Sequence, residues 1–105
     1  MYNIGDEVFV IEEHDGNKSI KNKTGTIIDV FNGGVTIYFH KKIRGHDGNI
    51  REGRGYKIMK QLSEKYNTPI DNCWCIFELG LDKCITRNFS NKDRVKHDLF
   101  TLANC

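Results

Sequence analysis

The chain has 105 residues, 38% of them hydrophobic and 29% charged, with a net charge of +2 at neutral pH. That is enough chain for one domain with one modest core, and too small a net charge to argue nucleic-acid binding by itself. No apolar run approaches the roughly 20 residues of a membrane-spanning helix. The opening Met1-Tyr2-Asn3-Ile4-Gly5-Asp6 lacks the basic start and apolar core of a secretory signal, so a cytoplasmic protein is expected.

Taken in order, the chain predicts a first strand over Glu7-Val8-Phe9-Val10-Ile11-Glu12, with Val8 and Val10 on one face. A long polar connection follows over 14–24, anchored only by Ile20. The strongest structural signal comes next. Gly25-Thr26-Ile27-Ile28-Asp29-Val30-Phe31 and Val35-Thr36-Ile37-Tyr38-Phe39-His40 are runs of β-branched and aromatic residues joined by Asn32-Gly33-Gly34. Such residues suit a pleated, half-buried surface, and a glycine supplies the positive φ of a tight hairpin. Val35, Ile37 and Phe39 form the clean apolar face and are expected in the core, with Tyr38 and His40 pointing to water or a partner.

Residues 41–55 hold four glycines among several charges, which rules out a packed strand and reads as a long charged loop. Within it, Gly45-His46-Asp47-Gly48 reads as a constrained turn. Ile58, Leu62 and Tyr66 have helical spacing, widened by Met59, so a helix of about three turns is expected over 56–66. Asn67-Thr68-Pro69 stops it. Asn72-Cys73-Trp74-Cys75-Ile76-Phe77-Glu78 predicts a fourth strand, Leu79-Gly80-Leu81-Asp82 a turn, and Lys83-Cys84-Ile85-Thr86 a short fifth strand. In the extension 87–105, Val95, Leu99 and Leu102 have helical spacing after Ser90 or Asn91, which predicts a short C-terminal helix.

Charge is unevenly distributed. Residues 1–17 carry Asp6, Glu7, Glu12, Glu13 and Asp15 and no lysine or arginine. Residues 41–60 carry Lys41, Lys42, Arg44, Arg51, Arg54, Lys57 and Lys60 against Asp47 and Glu52. A region of one sign steers partners of the other.

The order Gly5-Asp6-x-Val8-x-Val10, a long loop, Thr24-Gly25-Thr26, a hairpin, Gly45-His46-Asp47-Gly48, and Trp74 before a short closing strand resembles the small SH3-like barrels of bacteriophages and mobile elements. The resemblance spans residues 5–86. Its Gly-His-Asp and Trp elements are the distinctive ones, since the Gly-Asp-x-Val and Thr-Gly-Thr-Ile elements also occur in KOW-type modules. It implies a mainly β, five-stranded SH3-like barrel over 1–86, with an inserted helix and a C-terminal extension. The stretch between Gly48 and Trp74 is longer than in that pattern, and the tail after Thr86 is additional. The resemblance also implies a phage setting, in which small non-enzymatic proteins bind and block host machinery.

Several chemistries compete for the unusual residues. His46 and Asp47 offer an acid–base pair, with Cys73 or Cys75 as nucleophile. Adjacent residues of an extended chain point apart, however, and no nucleophile elbow, P-loop or dinucleotide fingerprint is present. Cys73-Trp74-Cys75 puts two thiols on one strand face, where His40 or His46 would complete a metal site. The spacing is C-x-C rather than C-x-x-C, and free cysteine is more simply a buried core residue. A phosphate-bearing nucleotide against His46, Arg51 and Arg54 is a third reading.

Nucleic-acid binding draws on Lys18, Lys21, Lys23 and the cations of 41–55, with Tyr38 and Tyr56 as stacking surfaces. Protein binding draws on the same loop docking on an acidic surface, where arginine and tyrosine are favoured anchors. The reading adopted from the sequence is a non-enzymatic, anti-CRISPR-like protein that inhibits a host protein such as a defence nuclease. It uses Lys41, Lys42, Arg44, His46, Asp47, Arg51 and Arg54, and no cofactor. A KOW/SH3-like nucleic-acid-binding module is the alternative.

Overall fold

The computed structural model describes residues 2–48 and 50–77 and the backbone of 85–87. Five strands form one antiparallel sheet: β1 (Glu7–Val10), β2 (Lys23–Phe31), β3 (Gly34–Phe39), β4 (Cys73–Phe77) and β5 (Ile85–Arg87). Their order across the sheet is β4-β3-β2-β1-β5. One helix, α1 (Gly53–Tyr66), lies between β3 and β4 in the chain, and a 3₁₀ turn, Lys18–Ile20, interrupts the β1–β2 connection. The fold is mainly β, as the composition of the strands dictates. Closure differs from expectation. β4 and β5 end the strand order and do not pair with each other among the described residues, so the described sheet is open rather than a shut five-stranded barrel. A barrel hides one face by curling; here α1 covers part of the second face instead.

The first face is the one that alternation marks. Val8, Val10, Val35, Ile37 and Phe39 are buried there with Ile20, Ile27, Ile43 and Ile76. Ile20 reaches this core from the 3₁₀ turn, so the lone apolar residue of the polar connection is indeed its anchor. Tyr2 and Trp74 pack at the margin.

The second face is where the expectation fails. Tyr38 is 0% exposed and His40 is half-buried, because α1 lies over them. Ile28, Tyr38, Met59 and Cys73 form a second core, with Ile50, Tyr56, Ile58 and Leu62 packed against it. The apolar stripe read from residues 58–66 is what fills this face. The Tyr38 hydroxyl emerges beyond the helix end, donating to the Pro69 carbonyl at 2.5 Å and meeting Thr68 Oγ1 at 2.7 Å. A buried tyrosine needs such a partner, and the turn after α1 supplies it.

α1 begins at Gly53, three residues before the expected start, after Glu52 in an extended conformation. It ends as expected. Asn67 takes left-handed angles (φ 52°, ψ 52°) and its N–H bonds the Ser63 carbonyl. The Thr68 N–H reaches the same carbonyl, while Ser63 Oγ donates to the Thr68 carbonyl at 2.6 Å. Pro69 then bars continuation.

β2 carries a bulge between Ile27 and Asp29. The extra residue, Ile28, breaks the alternation, so Ile27 enters the first core and Ile28 the second. Gly55 of α1 sits directly on this bulge, where a Cβ would lie 1.8 Å from the Ile28 carbonyl oxygen. β1 is shorter than expected, because Ile11 already lies exposed. β5 is displaced from 83–86 to Ile85–Arg87 and pairs with β1 through Val8↔Arg87, Phe9↔Thr86 and Val10↔Ile85. The predicted turn at 79–82, Cys84, Cys105 and the predicted C-terminal helix lie outside the described residues.

Candidate functional site

The segment 41–55 is not a free loop. It is a strap that carries the chain from one face of the sheet to the other around β4. Ile43 is buried in the first core and Ile50 packs against the second. Between them the Asp47 N–H donates to the outward Cys73 carbonyl at 2.9 Å, at the β4 edge. Gly45 passes the Trp74 ring on the first face, at 3.6 Å from where its Cβ would be. Gly48 passes Cys75 and Thr36 on the second. There a Cβ would lie 2.4 Å from Cys75 Sγ and 2.9 Å from Thr36 Cγ2, and the backbone has φ +84°. Only glycine meets both conditions.

Two asparagines that the sequence reading passed over hold the strap. Asn72 donates from Nδ2 to the Phe39 and Lys41 carbonyls, both at 2.9 Å, and accepts from the Ile43 N–H at 3.0 Å. Asn17 donates to the Arg44 carbonyl at 2.8 Å, and the Arg44 N–H donates to Ser19 Oγ at 2.8 Å. Asn17 and Asn72 sit in turn-rich polar stretches, where asparagine ordinarily serves its own turn. Their partners in the strap and at the end of β3 lie 27 to 33 residues away, which no local pattern signals.

The strap separates the site residues read from the sequence. Lys41, Lys42 and Arg44 flank buried Ile43 on the first-face side and are all exposed. Arg51 and Arg54 lie at the start of α1 on the second-face side, also exposed; Arg54 Nη2 lies 3.5 Å from where a Gly5 Cβ would be. Among the described residues, none of these five charged ends makes a hydrogen bond or ion pair. His46 occupies the turn at β4, with Nε2 3.6 Å from Asp71 Oδ2. The two side chains are 56% and 43% exposed, so the pair contributes little to stability. Asp47 is half-buried and acts through its backbone.

The β4 edge is closed to an incoming strand at two points. The Asp47 amide occupies the Cys73 carbonyl, and the Phe77 N–H donates to His14 Nε2 at 3.2 Å. A partner on this side therefore meets side chains rather than an open ladder.

Comparison of the chain with protein-family models, with curated proteins and with solved structures finds no match.

The geometry holds both β4 thiols inside the domain. Cys73 Sγ donates to the Gly48 carbonyl at 3.0 Å. Burial, then the nearby Cys75, Asp71 and Asp47, push its pKa up to about 12. Burial also raises the Cys75 thiol, which contacts Thr36 Oγ1 at 3.3 Å. A nucleophile needs the thiolate, and burial holds both of these thiols in the protonated form. The histidines offered as partners are engaged elsewhere: His46 faces Asp71, and His40 is under α1. Among the described residues, no three His, Cys, Asp or Glu side chains converge as a metal site would require. Of the three residues in the nucleotide reading, His46 lies beside Asp71 and Arg54 beside Gly5.

His40 fastens α1 to the sheet. Its ring stacks on Tyr66 (centroids 4.3 Å apart, 10° between planes), and Nε2 lies 2.8 Å from Thr26 Oγ1. Burial lowers its pKa below 6.5; Glu7 opposes the shift and Lys65 adds to it. The unfolded chain therefore binds the proton more readily than the folded one. His40 contributes its full stabilisation above about pH 6.5, and that contribution is lost as pH falls toward the lower folded value. Urea midpoints measured from pH 8 to pH 5 are expected to fall more steeply for the wild type than for His40→Gln. Parallel curves would contradict this assignment.

Proposed function

We propose that this chain is a non-enzymatic binding protein, built on an SH3-like scaffold, that docks on an acidic surface of a host protein and blocks it. A single observation carries the reading. The backbone of 41–48 is clamped by Asn17, Asn72 and the Asp47 amide, while the charged ends of Lys41, Lys42 and Arg44 take no part in the clamping. A rigid backbone that displays cations unpaired among the described residues has already lost its conformational entropy, so little further ordering cost falls on association. The strand order supports the scaffold: β1 pairs with β2 on one side and β5 on the other, the return that an SH3-like barrel uses to close. A phage-type inhibitor of a defence nuclease, anti-CRISPR-like in action, fits these features. Such an enzyme carries both acidic catalytic surfaces and basic nucleic-acid channels, and the cations here complement the former.

The alternative, a KOW-like nucleic-acid module, finds support in Arg51, Arg54 and Lys57, all exposed around the start of α1. Two observations weigh against it. The sheet lies between these cations and those of 41–44, so no one groove tracks a phosphate backbone. Lys60 and Lys65 lie over Tyr56 and Tyr66 of α1 itself, at 5.5 and 5.2 Å.

The discriminating experiment is affinity capture from a bacterial lysate, with and without nuclease, using wild type and the variant K41Q/K42Q/R44Q. A nuclease-resistant protein partner whose capture falls at least about tenfold in the variant is expected, equivalent to about 1.4 kcal/mol. Undiminished capture by the variant would overturn the proposal. Recovery of nucleic acid alone, lost as salt rises, would establish the alternative.

A further inference from the structure

A second feature of the strap lies on the opposite side from α1. Where 41–44 meets the β1–β2 connection there is a cavity of about 390 Å³, lined by Gly16, Asn17, Lys18, Ser19 and Arg44. This size lies within the range of small-molecule sites, about 300–1,000 Å³. We infer that this cavity is a binding site for the phosphate group of a small phosphomonoester.

The walls are built before any ligand arrives. Asn17 Oδ1 accepts from the Ser19 N–H at 3.0 Å and from Ser19 Oγ at 2.5 Å, and Asn17 Nδ2 donates to the Arg44 carbonyl. Ser19 Oγ in turn accepts from the Arg44 N–H. Every one of these bonds to Arg44 uses its backbone, which leaves its guanidinium out of the wall's hydrogen bonding; Arg44 and Lys18 both line the cavity and are both exposed. Lys23 Nζ donates to the Ser19 carbonyl and adds a third positive charge behind the wall. Among the described residues, the lining contains two cations and no carboxylate.

Two cations lining one cavity favour an anion within it. Guanidinium matches two oxygens of a phosphate at once and ammonium adds a point charge, the pairing that favours phosphate over a single carboxylate. The volume exceeds what inorganic phosphate needs, so the phosphate carries a substituent. This inference stands apart from the protein-docking reading: it concerns a small ligand on the isolated chain, whereas docking is measured by partner capture.

The test is a titration of the full chain, followed by amide NMR shifts, with inorganic phosphate, adenosine 5′-monophosphate and adenosine. Saturable shifts confined to residues 16–19 and 44 are expected with the two phosphate compounds, tighter for the monophosphate. Adenosine should bind at least about tenfold more weakly than its monophosphate. Arg44→Gln keeps the backbone bonds to Asn17 and Ser19, so it should retain the dispersed spectrum of a folded chain and lose affinity at least about tenfold. Arg54→Gln, on the other side of the sheet, should bind as wild type. Equal binding of adenosine and its monophosphate would overturn the inference. So would undiminished affinity in a folded Arg44→Gln, or shifts spread over the lysines of α1.

Discussion

Asn72→Asp is expected to leave the chain largely unfolded at neutral pH. Asn72 is 3% exposed, and its side chain makes three hydrogen bonds, all to main chain of 39–43. Its own backbone adds two more, accepting from the Phe39 N–H and donating to the Pro69 carbonyl. One side chain thus joins the end of β3, the strap and the start of β4. Aspartate has the same shape, yet it replaces a double donor by an acceptor facing the Phe39 and Lys41 carbonyls. A buried carbonyl and a part-buried one lose their partners and a carboxylate is buried beside them, at about 1–3 kcal/mol for each lost partner and more for the charge. The sum, roughly 5 kcal/mol, is comparable with the whole stability of a small domain, about 5–15 kcal/mol. Asn72→Ala removes the partners without adding charge and should cost about 3 kcal/mol. Protonating the aspartate removes the charge and restores one donor, so the Asp variant should regain stability on mild acidification while the Ala variant does not. Urea denaturation at pH 7 and pH 5 measures both. Equal midpoints for the wild type and Asn72→Asp at pH 7 would show that the network is not what holds the strap.

How much of this was legible in the sequence follows from the range of each interaction. Val8, Val10, Val35, Ile37 and Phe39 reach the core that their alternation marks, because period-2 burial is decided within the strand. Ile58, Met59, Leu62 and Tyr66 make the helical stripe, and Asn67-Thr68-Pro69 ends it, for equally local reasons. Tyr38 was misjudged for a long-range reason. Alternation says which residues share a face, but whether that face meets water depends on where α1 lands. The stripe at 58–66 had to be buried somewhere, and a sheet with Ile28 and Tyr38 on its second face was the available surface. The bulge at Ile28 was hidden because two consecutive isoleucines fit a strand either way.

The candidate site was legible in residue type and not in placement. Lys41, Lys42, Arg44, Arg51 and Arg54 are exposed, as the surplus of charge over apolar residues in 41–55 implies. That a strand would run between the two groups depends on Ile43 and Ile50 entering different cores. A single isoleucine in a glycine-rich stretch does not declare which core it joins. The cavity at Asn17 and Arg44 was further from reach, since it exists only where two connections meet.

Gly55→Ala is expected to destabilise the fold by about 3 kcal/mol, against the direction that helix propensity alone dictates. In an exposed helix interior, alanine is favoured over glycine by about 1 kcal/mol. Here the added Cβ would lie 1.8 Å from the Ile28 carbonyl oxygen and 2.9 Å from the carbonyl carbon. Both obstacles are backbone, held between the paired residues Ile27 and Asp29, so they do not yield as a side-chain tip would. α1 must therefore lift by more than an ångström. Met59, which is 1% exposed, then loses contact with Ile28 and Tyr38 along with the flanking Leu62. Forced repacking of this kind costs about 1–3 kcal/mol, and the lost burial adds to it, which outweighs the propensity gain. Gln61→Ala, on the exposed side of the same helix, should change stability by less than about 0.5 kcal/mol. Urea midpoints of the two variants compared with wild type give the result directly. A Gly55→Ala protein as stable as wild type would mean that α1 does not rest on the β2 bulge. The separation of Arg51 and Arg54 from the cations of 41–44 would then lose its structural basis, because the seat of α1 on that bulge is what fixes where the strap must end.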